Sequence, residues 1–532
     1  MSGGLVYVCW RTRARAFALI VAAAVGTLGA VALTRAAETM FPLGDIAVIE
    51  LYVRNALTGH LLVGPYSRFG WHHPGPAYFY LLAPFYAWAS KTTASLAAGS
   101  VAIALASFAL LMWTCARSVG PRASAAIAGA AVIFLWRVPG LLASAWNPHV
   151  IVVPTIALIA ACAAAAGGDL PFLPIAAVLA SVIVQTDVAL VPVAGVLCAA
   201  AAAACAASRW QDNRQGALKS LNASAWLLLL LWILPLAEEF THTPGNITLL
   251  ARFFTGAHAK GQTFAAARVA WAAMIDGVLL PSFSLASGGT FAASGKTLLI
   301  ALAVAQLAAL LAAALFARHR EPNLSRLAVF SLGASLAALW SVTRIEDRIM
   351  DHEVFWISGV AALNLGVIIA AAVSAAGART ETYAEQAGKR GAIVHAALVS
   401  VVLLMAFKQA ERARDGRLPV TPTSPVVERL TGSVRQYLEG KDAHKPFIRI
   451  GEETWGLAAG VLLQADRGSI PFAVEDSWMP MFPQAFAANG EEDSEVAFGN
   501  SDEHAARMRI AGAEPIASFS NVFIDGIPHK KP

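Results

Sequence analysis

Charge is scarce in this sequence. Of its 532 residues, 14% are Asp, Glu, Lys or Arg, against about a quarter in soluble domains, while 57% are hydrophobic. So few charges cannot keep a chain of this length in water, which excludes an ordinary soluble globular protein. Cysteine is sparser still. Cys9, Cys115, Cys162, Cys198 and Cys205 offer no CxxC spacing and fall in expected spans or on the expected cytoplasmic side, which argues against disulfides and against a Cys-ligated metal. The short alternating segments of a membrane β-barrel are missing as well. The net charge of +5 gathers between apolar runs, where it sets orientation, and no nucleic-acid signal accompanies it.

What is present is a series of apolar runs of the length a helix needs to cross about 30 Å of hydrocarbon. Eleven spans are expected, near 16–36, 95–116, 123–140, 149–166, 171–186, 188–207, 222–240, 297–317, 327–344, 354–376 and 392–409. The first follows Arg11, Arg13 and Arg15 and is too long for a signal h-region, so it reads as a retained anchor. With this count Arg117 and Arg122, Arg209, Arg214 and Lys219, Arg318 and Arg320, and Arg379, Lys389 and Arg390 all face the side of the N-terminus, which makes that side the cytoplasm. Tyr78 to Ala89 and residues 266–292 are expected to be interfacial or re-entrant, because counting either as a span would place arginines on the wrong face.

The fold class expected is therefore an all-α polytopic membrane protein with a small C-terminal α/β extramembrane domain. Residues 1–409 form the membrane domain, including an outer loop at 37–94, and residues 410–532 lie in the periplasm of a bacterial cytoplasmic membrane. In that tail Phe447–Ile450 and Pro471–Val474 read as strands and Thr454–Gln464 as a helix, after a proline-rich linker at 419–425.

The outer loop concentrates the chemistry. Asp45, Glu50 and Arg54 are followed by Gly64-Pro-Tyr66-Ser-Arg68-Phe-Gly-Trp71-His72-His73-Pro-Gly-Pro76. If 45–58 is helical, Asp45 sits in the first turn and Glu50 and Arg54, four apart, can pair on one face. Singly these are an ordinary cap, ion pair and turn. Together, in a long loop beside a membrane, they suit a carboxylate base for an acceptor hydroxyl, with Arg54, Arg68, His72 and His73 neutralising a phosphate and Tyr66 and Trp71 lining the substrate.

A span followed at once by a large outer loop with an acidic residue near its start, many further spans and a periplasmic α/β tail resembles the C-type glycosyltransferase (GT-C) superfamily. Within it the chain is most similar to bacterial relatives of protein mannosyltransferases and lipid A aminoarabinose transferases, which use polyprenyl-phosphate sugar donors. The resemblance implies that Asp45 is the catalytic base and that Arg54 matches a recurrent arginine. Ile46 stands where an Asp-Glu pair is usual, so the base stays open between Asp45 and Glu50.

Further substrate-binding candidates lie at the outer ends of later spans: Trp146 and Asn147, Gln185 and Asp187, and Arg344 and Arg348, one helical turn apart and able to clamp a lipid phosphate. Trp146 also suits an interfacial anchor. Glu238, Glu239 and His242 offer a weaker metal-binding alternative beside a solvated acidic pair, and Asn246 a glycosylation pattern of little weight. The expected activity is inverting sugar transfer from a polyprenyl-phosphate donor to a lipid or glycan acceptor, in contact with membrane lipids. No ligand spacing demands a cofactor; a divalent cation is compatible with the chemistry. A transporter or lipid flippase is the alternative, and a noncatalytic scaffold a third.

Overall fold

The computed structural model describes residues 40–88, 91–256, 261–281, 283–377, 384–415, 417–418 and 422–528. The expected first span lies outside them. Among the described residues eight helices are long and apolar enough to cross a membrane: Thr93–Ser118, Asn147–Ala166, Val188–Arg209, Arg214–Thr241, Lys296–Ala317, Pro322–Val342, Asp351–Ala376 and Ile393–Arg414. All eight coincide with expected spans. The remaining two expected there form shorter helices, Pro121–Arg137 of 17 residues and Phe172–Thr186 of 15. At 1.5 Å per residue these reach about 26 and 23 Å, short of a full hydrocarbon layer. Among the described residues the count of eleven is thus not confirmed: turns at Gly167-Gly168 and at Asp187 cut the apolar run into pieces that hydropathy alone reads as whole spans.

The two segments read as non-spanning are helices of 12 and 14 residues, Ala77–Trp88 with Pro84 inside it and Phe264–Gly277. Neither is long enough to cross. Outside the bundle, Ile133, Trp136, Trp226, Leu230, Leu315 and Ile393 are exposed, a distribution that suits hydrocarbon and not water. Its interior is closed by small residues: the Asn147–Ala166 helix, with its run of alanines, is almost wholly buried.

The C-terminal unit is a five-stranded mixed sheet in the order β2-β1-β3-β5-β4, with β1 Pro446–Ile450, β2 Ala473–Val474, β3 Ser494–Gly499, β4 Glu514–Phe519 and β5 Val522–Ile527. β1 runs parallel to β2 and β3, whereas β5 is antiparallel to β3 and β4. The helix Trp455–Arg467 makes the crossover from β1 to β2, and Pro425–Gly440 packs against it. The strands at 447–450 and 471–474 and the intervening helix therefore appear where the sequence puts them. The later strands are additional.

Two hydrophobic cores divide the molecule. One fills the membrane bundle. The other joins the outer-loop helices Gly44–Ala56 and Ala77–Trp88 to the C-terminal sheet, so that Ile46, Leu51, Tyr52 and Phe79 share a core with Val427, Leu462, Val496 and Ile524. The two parts approach closely at Gly44, whose φ of +53° starts the helix and whose Cα faces the Trp455 ring: a Cβ there would stand 3.3 Å from it. Leu43 N–H bonds Pro422 O and Ser424 N–H bonds Phe41 O, tying the two chain segments backbone to backbone.

Candidate active site

The helix Gly44–Ala56 carries acid in its first turn and Arg54 in its last, the arrangement the helix dipole favours. Its two sides do different things. Asp45, Val48, Ile49 and Tyr52, at helical spacing, line a cavity of about 950 Å³ beneath the outer loop. Glu50 is five residues from Asp45, roughly 140° around the helix, and faces the other way.

Glu50 and Arg54 do not pair with each other. Both are taken up by the C-terminal helix. Arg467 donates to Glu50 Oε1 through Nε at 2.8 Å and NH2 at 2.5 Å, Tyr86 Oη donates to the same oxygen at 2.8 Å, and Thr93 Oγ1 to Oε2 at 2.8 Å. Arg54 pairs with Asp466 and also reaches Tyr86 Oη at 3.3 Å. Glu50 is fully buried and neither residue lines the cavity, so neither is placed to touch a substrate there.

Residues 64–73 form a tight hairpin. His73 N–H bonds Pro65 O at 2.8 Å and Ser67 N–H bonds Trp71 O at 2.9 Å, with the turn made by Gly70 at φ +80°. Asn246 holds it from the far side, accepting from His72 N–H at 2.8 Å and donating to His72 O at 2.9 Å. The hairpin delivers Tyr66, Arg68, Trp71 and His73 to the cavity wall. Tyr66 Oη donates to Asp45 Oδ1. Burial pushes the Asp45 carboxyl up from its ordinary range, opposed by the Tyr66 hydroxyl, His352 and the Trp146 indole.

The two histidines do not serve as cations here. His73 Nδ1 accepts the Val188 N–H at 2.9 Å, so the ring is neutral with its proton on Nε2, and burial pulls its pKa to about 3. His72 lies off the cavity, sharing a 3.0 Å hydrogen bond with Tyr52 Oη, and burial pulls it to about 4. The positive charge on the cavity wall comes instead from Arg68 and Arg344. Arg68 NH2 reaches Glu346 O, Arg348 O and Glu353 Oε1 at 3.3–3.4 Å. Arg344 spends one nitrogen on Phe254 O at 2.8 Å. The guanidinium of Arg348 is not part of the wall, so no Arg344–Arg348 clamp is formed.

Trp146, Asn147 and Asp187 line the same cavity. Asp187 Oδ1 accepts from Ala189 N–H at 3.0 Å, and burial raises the carboxyl to about 6. Gln185 does not line it: its amide donates to Leu231 O at 2.9 Å and accepts from Ala77 N–H at 3.3 Å, fastening the outer loop to the bundle. Glu238 and Glu239 receive the N–H groups of Asn246 and Thr248 and cap the helix Asn246–Thr255. Among the described residues no group of three or more His, Cys, Asp or Glu side chains is arranged to hold a metal ion.

Several wall residues escaped the sequence reading: Phe253, Phe254, Trp340, His352 and Glu353. Asp351, His352 and Glu353 form a charge cluster in the sequence, but nothing in their spacing points His352 inward. Phe253 and Phe254 sit on the amphipathic helix Asn246–Thr255 and pack at tilted or edge-on angles against Phe69 and Trp71, with ring centroids 4.9–5.9 Å apart.

Beside the cavity runs a second, apolar groove of about 670 Å³ between the helices at 172–186, 191–209 and 214–241. Val188, Val191, Gly195 and Phe254 belong to both linings, so the cavity and the apolar groove share a wall.

No protein-family model and no curated protein matches this chain. Its fold does have solved counterparts. The crystal structure of ArnT from Cupriavidus metallidurans bound to undecaprenyl phosphate superimposes with a TM-score of 0.54 at 10% identity, covering 96% of this chain and 97% of that one. The apo state of the same enzyme gives 0.51 over the same shares. The chain therefore has a polytopic membrane fold with a C-terminal sheet-containing unit, resembling the fold of ArnT along nearly its whole length.

Proposed function

We propose that this protein transfers a sugar from a polyprenyl-phosphate donor to a lipid or glycan acceptor at the outer face of a bacterial cytoplasmic membrane, with Asp45 as the base. The observation that carries the reading is the junction of a chamber holding Asp45, Arg68 and Arg344 with an apolar groove through a common wall. A donor with a charged sugar phosphate and a long hydrocarbon tail needs those two environments side by side. The likeness in fold to an enzyme solved with undecaprenyl phosphate supports the same donor class.

In this reading the acceptor oxygen attacks the anomeric carbon as the bond from that carbon to the phosphate oxygen breaks. The acceptor proton passes to Asp45, and the electron pair leaves with the polyprenyl phosphate. Arg68 and Arg344 stabilise that dianion as it forms. Asn147, Trp146 and Asp187 bound the sugar. Glu50 and Arg54, engaged with Arg467 and Asp466, are given no part in the chemistry.

The test is transfer of radiolabelled sugar from a panel of polyprenyl-phosphate donors to membrane lipids and glycans. Wild-type transfer lost in Asp45→Asn and kept in a folded Glu50→Gln supports the assignment. Movement of labelled lipid across the bilayer with no transfer from any donor replaces it with a flippase.

A further inference from the structure

We propose that His73 and Asp187 together read one hydroxyl of the transferred sugar, His73 donating from Nε2 to its oxygen and Asp187 accepting its hydrogen at Oδ2. This deepens the transferase reading and rests on it for the class of donor. The pair is built by the start of the span Val188–Arg209. The first amides of a helix have no partner within it and must find one elsewhere. Here Val188 N–H donates to His73 Nδ1 at 2.9 Å, and Ala189 N–H to Asp187 Oδ1 at 3.0 Å. Each side chain is pinned by one polar atom, and its other polar atom is left over.

The two left over are of opposite kind. A backbone N–H can only donate, so His73 Nδ1 carries no proton and the single ring hydrogen sits on Nε2. The 3.9 Å between that Nδ1 and Asp187 Oδ1 therefore separates two acceptors and is not an ion pair. Among the described residues neither His73 Nε2 nor Asp187 Oδ2 has a hydrogen-bond partner. Both residues line the cavity, with 13% and 8% of their side-chain surface still open. The hairpin holds the histidine from behind. Its N–H bonds Pro65 O at 2.8 Å, its carbonyl accepts the Gly64 N–H at 3.2 Å, and the Trp71 ring meets the imidazole edge-on with centroids 5.7 Å apart.

A free donor and a free acceptor on neighbouring side chains suit a group that both accepts and donates. A hydroxyl does so, whereas a phosphate dianion only accepts and is repelled by the Asp187 carboxylate. The phosphate belongs instead with Arg344, whose guanidinium donates to the carbonyl of Phe254, a residue of the wall shared with the apolar groove. A buried donor and acceptor left unmet are costly, so the pair discriminates against sugars that lack this hydroxyl.

The experiment measures equilibrium binding to the full chain in nanodiscs at pH 8, where Asp187 is ionised. The probes are radiolabelled polyprenyl-phosphate hexoses and pentoses, their monodeoxy analogues and bare polyprenyl phosphate. His73→Asn keeps an acceptor for the Val188 N–H and loses the donor, while His73→Gln keeps a donor near the place of Nε2. For the sugar that binds best, His73→Asn is expected to weaken binding about tenfold and His73→Gln to stay within about threefold of wild type. One monodeoxy donor, lacking the hydroxyl in question, should bind wild type and His73→Asn equally, and the same analogue should cancel the loss in Asp187→Asn. Bare polyprenyl phosphate should not distinguish the variants. His73→Ser serves if the asparagine variant does not fold. The proposal is overturned by a folded donor-less variant that binds the sugar donor as wild type does, by a loss that persists with every monodeoxy analogue, or by an equal loss for bare polyprenyl phosphate. A wild type that binds no glycosylated donor overturns it too and takes the transferase reading with it. The expected binding pattern without transfer to any lipid or glycan sinks the transferase reading alone.

Discussion

Replacing Glu50 by Gln is the sharpest way to separate the two carboxylates of the outer-loop helix. Glu50 is completely buried, and its Arg467 partner is only 14% exposed, so this ion pair is shielded from solvent. Breaking a buried pair leaves the surviving charge uncompensated, at a cost of about 3–5 kcal/mol. Gln keeps an acceptor for Tyr86 and Arg467 and so belongs at the lower end, about 3 kcal/mol. Arg467→Met, which strands the carboxylate with two hydroxyls, belongs at the upper end. Removing both charges together, as Glu50→Leu with Arg467→Met, should recover most of the loss, because neither ion is then left alone. For a cooperative unit of about 150 residues, 3 kcal/mol lowers the melting temperature by roughly 6–12 °C. Thermal unfolding in nanodiscs, followed by protease release of the C-terminal unit, measures it. A Glu50→Gln protein that melts as wild type yet transfers no sugar would refute the reasoning and make Glu50 the base.

Asp45→Asn should lower kcat by about 10²–10⁴, the usual worth of a general base, with the melting temperature unchanged. Because burial raises the Asp45 carboxyl, wild-type activity should fall as pH drops through that raised value, earlier than an exposed carboxylate would allow. Asp187, raised from 3.8 to about 6, holds a proton in the folded state that the unfolded chain loses. It therefore costs stability progressively from pH 4 to 6, reaching about 3 kcal/mol above that. Asp187→Asn should be the more stable protein above pH 6, with the gain vanishing below pH 4; a pH-independent difference in unfolding would contradict this. Gly195→Leu places a side chain in open space on the wall between chamber and groove. It should raise KM for long-chain donors more than for short-chain analogues, and an equal effect on both would argue against the groove as the chain's path.

How far the sequence could be read depended on the range of the interactions. Spans and the re-entrant pieces followed from hydropathy and arginine placement, which are local. So did the helix bearing Asp45, and the first two strands of the tail. Glu50 and Arg54 have the i, i+4 spacing of a surface pair, but their partners Arg467 and Asp466 lie more than 400 residues away, and no local pattern encodes that. The helical period did hold part of the answer, since Asp45 and Glu50 cannot face one cavity from five residues apart. Strands β3 to β5 were missed because β3 is buried at every position and shows no alternation, and β4 has no buried position, half of it being exposed. Gln185 and Asn246 looked like ligands or modification sites because polar side chains near hydrocarbon do; in the structure they brace the loop.

The joint core of the outer loop and the C-terminal sheet also imposes an order on biogenesis. The helix Gly44–Ala56 leaves the ribosome early, yet Asp466, the partner of its Arg54, follows 412 residues later. At ordinary elongation rates the gap is roughly 20–80 s. During that time several further helices are made while Leu51 and Val53 lack the later residues that complete their core. A chain ending before residue 425 would leave that side of the helix uncovered.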